Sequence, residues 1–430
     1  MTQEIKNFSM FKNLMKSTSI YAGGSLINRA IPFVLLPVLT RFLSPEDYGV
    51  LAIFMAVFGV MQILVAMGTI DAIVRAYFDI GKEGFDFAKY VFNGLTINLV
   101  ICVGILGVLY LGKPYFVRVM PIPFFYQVLI PLLSLCVAVY TVPTKLWVFR
   151  KKPVPYTLFN AGNVMLEVLL AAVLIVFMHF DWRGRVLGIA ISRFVFLGVG
   201  IYFLLRYGFC RPSFNKKYIK SILHFGFPVT LHSAGFVIIA AIDRFFLNKF
   251  IGLSVTGIYS VSYSLCALIG FLTGAFNAAW APIFYEKLGS LSRAGKAKLV
   301  QFTYAYFFLV LAGTILFIFL VPGILNILVG EKFLGARAFV FWLALGFAFH
   351  GMYTLVVSYI FYEKKTTILG KVAFFTVLLS FVSNYVLIKV NGAVGVAQAT
   401  CLVFFSRFLL VWYFGNKVYP MPWFSFAKGT

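Results

Sequence analysis

Twelve apolar stretches, each long enough to cross a bilayer, follow one another along this chain with little between them. They fall at about 18–41, 48–70, 88–111, 123–148, 155–179, 185–206, 221–248, 255–282, 299–321, 335–361, 368–388 and 393–414. A helix needs ~20 apolar residues to cross the hydrocarbon core. Lipid offers the backbone nothing to bond, so every stretch is predicted to be helical. Several run past that length, which implies tilt or kinks. The segment before the first stretch is polar and carries no short apolar core with a small-residue cleavage site. It reads as an uncleaved N-terminus.

The charges then orient the chain. Only 12% of the 430 residues are charged, yet the net charge is +24. In a soluble protein that excess would point to nucleic acid. Here its placement gives another account. With the N-terminus inside, 22 of the 37 basic residues fall in inner segments and 8 in outer loops, Arg183 and Arg185 among the latter. That bias predicts both termini in the cytoplasm. A basic inner face suits anionic headgroups, and no nucleic-acid partner is needed.

The sequence also repeats itself. Arg41-Phe42-Leu43 and, four residues on, Tyr48-Gly49 recur as Lys249-Phe250-Ile251 and Thr256-Gly257, an offset of 208. Val186-Leu187-Gly188-Ile189-Ala190 recurs as Ala393-Val394-Gly395-Val396-Ala397, offset 207. Phe149-Arg150-Lys151-Lys152 resembles Tyr362-Glu363-Lys364-Lys365. Six spans lie between repeats, so both halves share one orientation and are parallel repeats. The fold class is therefore an all-α membrane protein of about twelve helices in two pseudo-symmetric six-helix bundles, residues 1–210 and 211–430.

Several chemistries find no support. The five cysteines are scattered and contain no Cys-x-x-Cys pair. The four histidines are not at metal-ligand spacing, and Gly295-Lys296 is followed by Ala297, which breaks a phosphate-binding loop. Outer loops are short, whereas an enzyme polymerising sugars is expected to carry a large one. The expectation is a carrier with no catalytic residues, no metal and no cofactor, not an enzyme.

What remains is charge inside the spans. A charge there costs at least a few kcal/mol and normally faces water or a partner. Arg29 lies midway along the first span, with Asn28 beside it and Pro32 on the same face. It lines a cavity or makes a structural ion pair. Arg193 and Arg407 occupy similar places in the two halves. Asp243 and His232 are eleven residues apart, three helical turns, and share a face. Asp243 with His232, or Glu167, is a candidate for coupling to a proton or cation. Each carboxylate also has a structural reading as the partner of a basic residue. Asp71 and Arg75, at i and i+4, are predicted to pair. The intramembrane excess is positive, which suits an anionic substrate and disfavours cationic drugs.

Leu39-Thr40-Arg41-Phe42-Leu43-Ser44-Pro45-Glu46-Asp47-Tyr48-Gly49 resembles the start of polysaccharide exporters and Wzx-type flippases of the multidrug/oligosaccharidyl-lipid/polysaccharide exporter superfamily. The segment with Trp280 and Pro282 and the Gly-x-Ala patterns at 188–190 and 395–397 are similar to it too. The resemblance implies two bundles working by alternating access in a bacterial inner membrane. Its implied substrate is an undecaprenyl-diphosphate-linked oligosaccharide moving from inner to outer leaflet on the way to O-antigen, capsule or exopolysaccharide. Membrane lipid and a polysaccharide polymerase machinery are the further partners it suggests. The diphosphate would meet Arg29, Asn28, Arg193 and Arg407, because a guanidinium binds two oxygens at once. The signature loop itself reads as an outer turn, with Ser44 capping the next helix. Two alternatives are a multidrug cation antiporter of the same superfamily and a membrane-embedded polymerase or acyltransferase.

Overall fold

The computed structural model describes residue 33, residues 35–289 and residues 292–423, the side chains of 231–233 excepted. Among these residues the chain is helical apart from short connections and contains no strand. The end of the first predicted span is helical at 35–42 (α1). Then come α2 (Pro45–Ala66), α3 (Thr69–Ala76), α4 (Phe87–Leu111), α5 (Lys113–Val119) and α6 (Phe124–Phe149). They are followed by α7 (Pro153–Ala172), α8 (Trp182–Arg206), α9 (Lys216–Phe250) and α10 (Leu253–Leu288). The chain continues through α11 (Arg293–Leu328), α12 (Arg337–Tyr362) and α13 (Thr367–Val418).

Among the described residues nine helices are long and apolar enough to span a membrane, or ten with α9 taken as one bent span. The helix α13 counts once in that number, yet its 52 residues exceed twice what one crossing needs. It breaks at Gly392, at φ 58° and ψ −139°, a backbone shape open to glycine. It therefore supplies the last two spans. Eleven of the twelve predicted spans are thus accounted for. Most of the first, with Asn28 and Arg29, lies outside the described residues.

The helices start where short polar side chains satisfy their free amides. Ser44 and Asp47 cap α2 reciprocally: Asp47 N–H donates to Ser44 Oγ at 3.1 Å, and Ser44 N–H donates to Asp47 Oδ2 at 3.2 Å. This is the cap expected from the sequence, with Asp in place of the commoner Glu. Asp86 caps α4 by accepting from Lys89 N–H, and Ser292 caps α11 by accepting from Gly295 N–H. Within the spans, buried hydroxyls donate to the carbonyl four residues back, as at Ser134, Thr230, Thr303 and Thr314. No polar atom of these side chains is then left facing lipid alone.

The chain divides into two compact units: the described residues up to Phe42 with Ile53–Ala234, and Leu43–Ala52 with the residues from Gly235 onward. The division falls inside α9, beyond the basic connection around residue 210. That connection is tied to α4 within the first unit. Asn93 donates to Ser213 O at 2.8 Å and accepts from Asn215 N–H at 3.0 Å.

Two expectations from charge spacing do not hold. Asp71 and Arg75 make no ion pair. Arg75 instead lies over the Phe225 ring, 5.0 Å from its centre, because α3 packs beside the start of α9. Arg185, counted above with an outer loop, is inside α8 and only 7% exposed.

Glycine governs how closely the limbs of α13 meet. A Cβ on Gly395 would stand 2.0 Å from the Leu387 carbonyl oxygen, whereas one on Gly198 meets nothing within 4 Å. Gly395→Ala is expected to cost about 1–3 kcal/mol, as overpacking does. Gly198→Ala should leave stability unchanged or slightly raised. Thermal unfolding of the purified variants in detergent measures both, and an unaffected Gly395→Ala protein would contradict the turn described here.

Candidate functional site

Each unit buries one carboxylate, and the two are handled in opposite ways. In the first unit, Asn163, Glu167 and Ala171 form a stripe along α7 that faces Arg185, Gly188 and Ser192 on α8. Gly188 makes the approach possible, since a Cβ there would lie 3.0 Å from Ala171 N. Glu167 is then gripped from both sides. Arg185 Nη2 lies 2.6 Å from Glu167 Oε1, and Arg193 Nη2 lies 2.9 Å from Oε2. Arg193 also donates to Asn163 Oδ1 at 2.5 Å, and Ser192 donates to the same oxygen at 2.9 Å. The triad carries one net positive charge.

In the second unit, Asp243 is fully buried and has no ion pair among the described residues. Its donors are neutral. Asn384 Nδ2 donates to Oδ1 at 3.0 Å, while Thr400 Oγ1 and Tyr259 OH lie 2.8 Å and 3.0 Å from Oδ2. Thr400 and Tyr259 are themselves 3.0 Å apart, and Thr400 Oγ1 is 3.1 Å from the Val396 carbonyl. Two hydroxyl hydrogens therefore serve four oxygen contacts. Asn384 Oδ1, also buried, has no hydrogen-bond partner among the described residues. The cluster is rich in oxygen and short of positive charge, which is the arrangement that accepts a proton or an oxygen-coordinated cation. The neighbouring Arg244 turns away, donating to Ala240 O at 2.6 Å and lying 4.5 Å over the Tyr263 ring.

Arg407 lies seven residues beyond Thr400 on the same face of α13, about 10 Å farther inward. Phe404 stands between them, stacked on Phe236 and packed on His350 and Phe347. Arg407 is 7% exposed. Its contacts are the Tyr353 hydroxyl at 3.3 Å and the Tyr353 ring, 4.6 Å below the guanidinium. No carboxylate lies within ion-pair distance among the described residues, and its Nη1 and His350 Nδ1 lack hydrogen-bond partners there.

The structure thus brings Arg193 and Glu167 together in the first unit, while Asp243 and Arg407 belong to the second. Asn28 and Arg29 lie outside the described residues, as does the side chain of His232. The partners that complete the two clusters, Arg185, Asn163, Tyr259, Asn384, Thr400 and Tyr353, escaped a reading that counted only intramembrane charges. Asn384 and Thr400 stand out in hindsight as polar residues inside the last two apolar runs.

A match to the polysaccharide biosynthesis protein family covers residues 14–287. The chain belongs to that family. Among its relatives is a Haemophilus influenzae protein of the Lsg locus, 25% identical over 366 residues, covering 83% of this chain and 87% of that one. A second, described as an uncharacterized membrane protein of the same organism, is 24% identical over 362 residues, covering 82% and 85%. Among solved structures the fold is similar to that of the lipid II flippase MurJ in an inward closed conformation. The TM-score is 0.74 at 14% identity, covering 91% of this chain and 86% of that one. An inward-facing multidrug resistance MATE family transporter of the MOP superfamily gives 0.66 at 15% identity, covering 90% and 94%. The family member is accordingly a multi-pass membrane protein with two repeat bundles of helices.

Glu167→Gln leaves two buried guanidinium groups facing a neutral amide. A loss of about 3–5 kcal/mol is expected, as when one partner of a buried ion pair is removed. Asp243→Asn breaks no ion pair and is expected to unfold close to the parent temperature. Detergent-solubilised thermal unfolding of the two variants tests the contrast, and equal losses would show that Asp243 is also held by charge.

Proposed function

We propose that this protein is a flippase for undecaprenyl-diphosphate-linked oligosaccharide repeat units, carrying them from the inner to the outer leaflet of a bacterial inner membrane by alternating access. Arg407 carries the reading. It is a buried guanidinium resting on a tyrosine, with no carboxylate within ion-pair distance among the described residues, and it calls for an anion. A diphosphate supplies paired oxygens that match its planar fork. Membership of a polysaccharide biosynthesis family is consistent with a glycan on that diphosphate, for O-antigen, capsule or exopolysaccharide.

The remaining roles follow from the same chemistry. Arg29 and Asn28 on the first span are the other anion-binding residues. Arg193 shares its charge with Glu167, so it contributes a positive field more than a free fork. The two halves, residues 1–210 and 211–430, alternate in access. Asp243 is the better coupling residue of the two carboxylates, since Glu167 is saturated by arginine. A proton or sodium ion taken up at Asp243, with His232 on the same helix, would cancel a buried negative charge in the unit that holds Arg407 and strengthen anion binding there. A polysaccharide polymerase is the expected consumer of the delivered units.

The deciding measurement is the sidedness of lipid-linked oligosaccharide in cells lacking the protein. Repeat units should accumulate on the cytoplasmic leaflet and be released by the wild-type gene. Units that reach the outer face and stay unpolymerised would overturn the flippase reading in favour of an enzyme. Arg407→Ala should lower export roughly 10–100-fold, the loss of one charge-assisted bidentate contact. Arg407→Lys should fall between Ala and wild type, because charge stays and the fork is lost. Asp243→Asn should remove the dependence of export on the ion gradient.

A further inference from the structure

The segment with Trp280 and Pro282, one of the family-like motifs of the sequence, takes part in neither charged cluster. It carries an aromatic array instead. Phe276 and Trp280 stand one turn apart on α10, and Phe302 and Tyr306 stand one turn apart on α11. Trp280 stacks on Phe302, with ring centres 4.4 Å apart and planes 21° from parallel. Phe276 stacks on Tyr306 at 4.8 Å and 24°. Along α10 the Phe276 and Trp280 rings are 6.3 Å apart and 15° from parallel. The four rings thus share nearly one orientation. Rings packed only as filler also meet edge-on, as Phe284 of the same helix meets Tyr359 at 79°. The array is rooted in the core through Tyr306, which is buried, and is open at Phe276 and Phe302, each 37% exposed.

Two features set this array apart from a surface built for acyl chains. The first is its surroundings. A lipid-facing helix surface is bulky, as on α11, where Phe308, Leu309 and Leu316 are exposed. The exposed neighbours of Phe276 on α10 are Ala275, Ala278 and Ala279, which leave room beside the rings. The second feature is depth. Ser262 on α10 donates to Ala336 O at 2.7 Å, just before α12 begins. Farther along both helices, a Cβ on Gly351 would stand 2.6 Å from Thr273 Cγ2, so α10 and α12 run parallel. Phe276 is three residues past that contact, and Tyr353, whose ring carries Arg407, is two residues past it. At ~1.5 Å of rise per residue, the two lie within about 2 Å of one depth. Tyr306 and Tyr353 also belong to one packed core cluster, against which Trp280 rests.

We propose that Phe276, Trp280 and Phe302, backed by Tyr306, form a glycan platform that takes the sugar next to the diphosphate while Arg407 holds the diphosphate itself. This rests on the flippase reading for the identity of the lipid, and on ring geometry and depth for the place of the sugar. One face of a pyranose presents weakly positive C–H groups, and the face of an aromatic ring is negative, so the sugar lies flat on an exposed ring. A sugar bonded directly to a diphosphate must lie beside whatever holds the phosphate. The rim of the sugar is hydroxyls, which give and take hydrogen bonds. Asn277 Oδ1 and Trp280 Nε1 offer one acceptor and one donor. Both are covered from solvent and lack hydrogen-bond partners among the described residues, and a turn of either side chain presents it. Stacking tolerates many pyranoses, so the platform distinguishes loaded carrier lipid from bare lipid more than one sugar from another.

The test uses the purified full-length protein in detergent and two probes, undecaprenyl diphosphate and the same lipid carrying one N-acetylglucosamine. The parent should bind the sugar-bearing probe about tenfold tighter, the worth of one or two aromatic stacking contacts. Trp280→Leu and Phe276→Leu keep bulk and lose the ring. Each should lose most of that preference and bind undecaprenyl diphosphate as the parent does. Trp280→Phe should keep the preference. Phe308→Leu, which removes an exposed ring elsewhere on α11, should change neither affinity. Arg407→Ala should weaken both probes by a similar factor. An unchanged sugar preference in both leucine variants overturns the proposal. A parent that binds the two probes alike, through Arg407, overturns it too, makes the array a lipid contact and leaves the flippase reading standing. A parent that binds neither probe overturns both. Should the leucine variants fail to fold, the folded parent is irradiated with the sugar-bearing probe carrying a diazirine on its sugar. Label within residues 272–284 or 299–309 upholds the platform, and label confined to other segments overturns it. Ring-dependent sugar preference in a protein whose loss leaves lipid-linked units on their normal side would keep the platform and remove the flippase reading.

Discussion

Hydrocarbon cannot solvate a charge, and the interior of this protein is arranged around that fact. A guanidinium or carboxylate placed at mid-membrane must find a partner within the protein or draw one in. Four solutions coexist here. Arg185 and Arg193 share Glu167. Arg244 bonds its own helix and covers an aromatic ring. Asp243 collects neutral hydroxyls and an amide. Arg407 rests on Tyr353 with part of its fork unused. The first two close their own electrostatics and act as structure. The last two, opposite in sign, have no ion-pair partner among the described residues. Function is best sought where the protein has left a charge open, since a closed pair has nothing further to offer a ligand.

The same solvent removes the hydrophobic drive between helices, so close contact has to come from shape. Glycine supplies it at the points that matter most. Gly188 lets α7 and α8 approach until arginine reaches Glu167. Gly395 lets the limbs of α13 turn back tightly enough for Asn384 and Thr400 to meet at one carboxylate. Gly49 and Gly257 bring together the starts of α2 and α10. In the first two cases a missing side chain places a charged or polar one, which links backbone packing to the chemistry of the site.

Much of this was legible from the residues. Span number, the repeat and the Ser44 cap follow from hydrophobic length, spacing and helical geometry. The Asp71–Arg75 pair failed because an exposed i,i+4 pair is worth only a few tenths of a kcal/mol, and an aromatic face on another helix displaced it. Arg185 was misplaced because it stands three residues inside a helix whose start the hydropathy alone does not fix. The partners of Asp243 were invisible for a deeper reason. They come from α10 and both limbs of α13, 16 to 157 residues away in sequence, and nothing in a single run of residues says which polar side chains of different helices will converge.

The two repeats began alike and have been given different charges, and the difference has a direction. In the first half the buried carboxylate is overmatched, two arginines to one glutamate, and its geometry is locked. In the second half carboxylate and arginine are kept apart by Phe404 and its stacked neighbours. Were Asp243 and Arg407 adjacent, they would pair as Glu167 does, and both would be lost to any ligand. Separation by an apolar layer keeps each available, and protein between the two screens their charges far less than water would. On the flippase reading, neutralising one charge would change the affinity of the other site for its own ligand, and by linkage the reverse would hold too. On the flippase reading, an aromatic spacer between opposite charges would, without any moving part, make ion and anion binding inside one unit depend on each other.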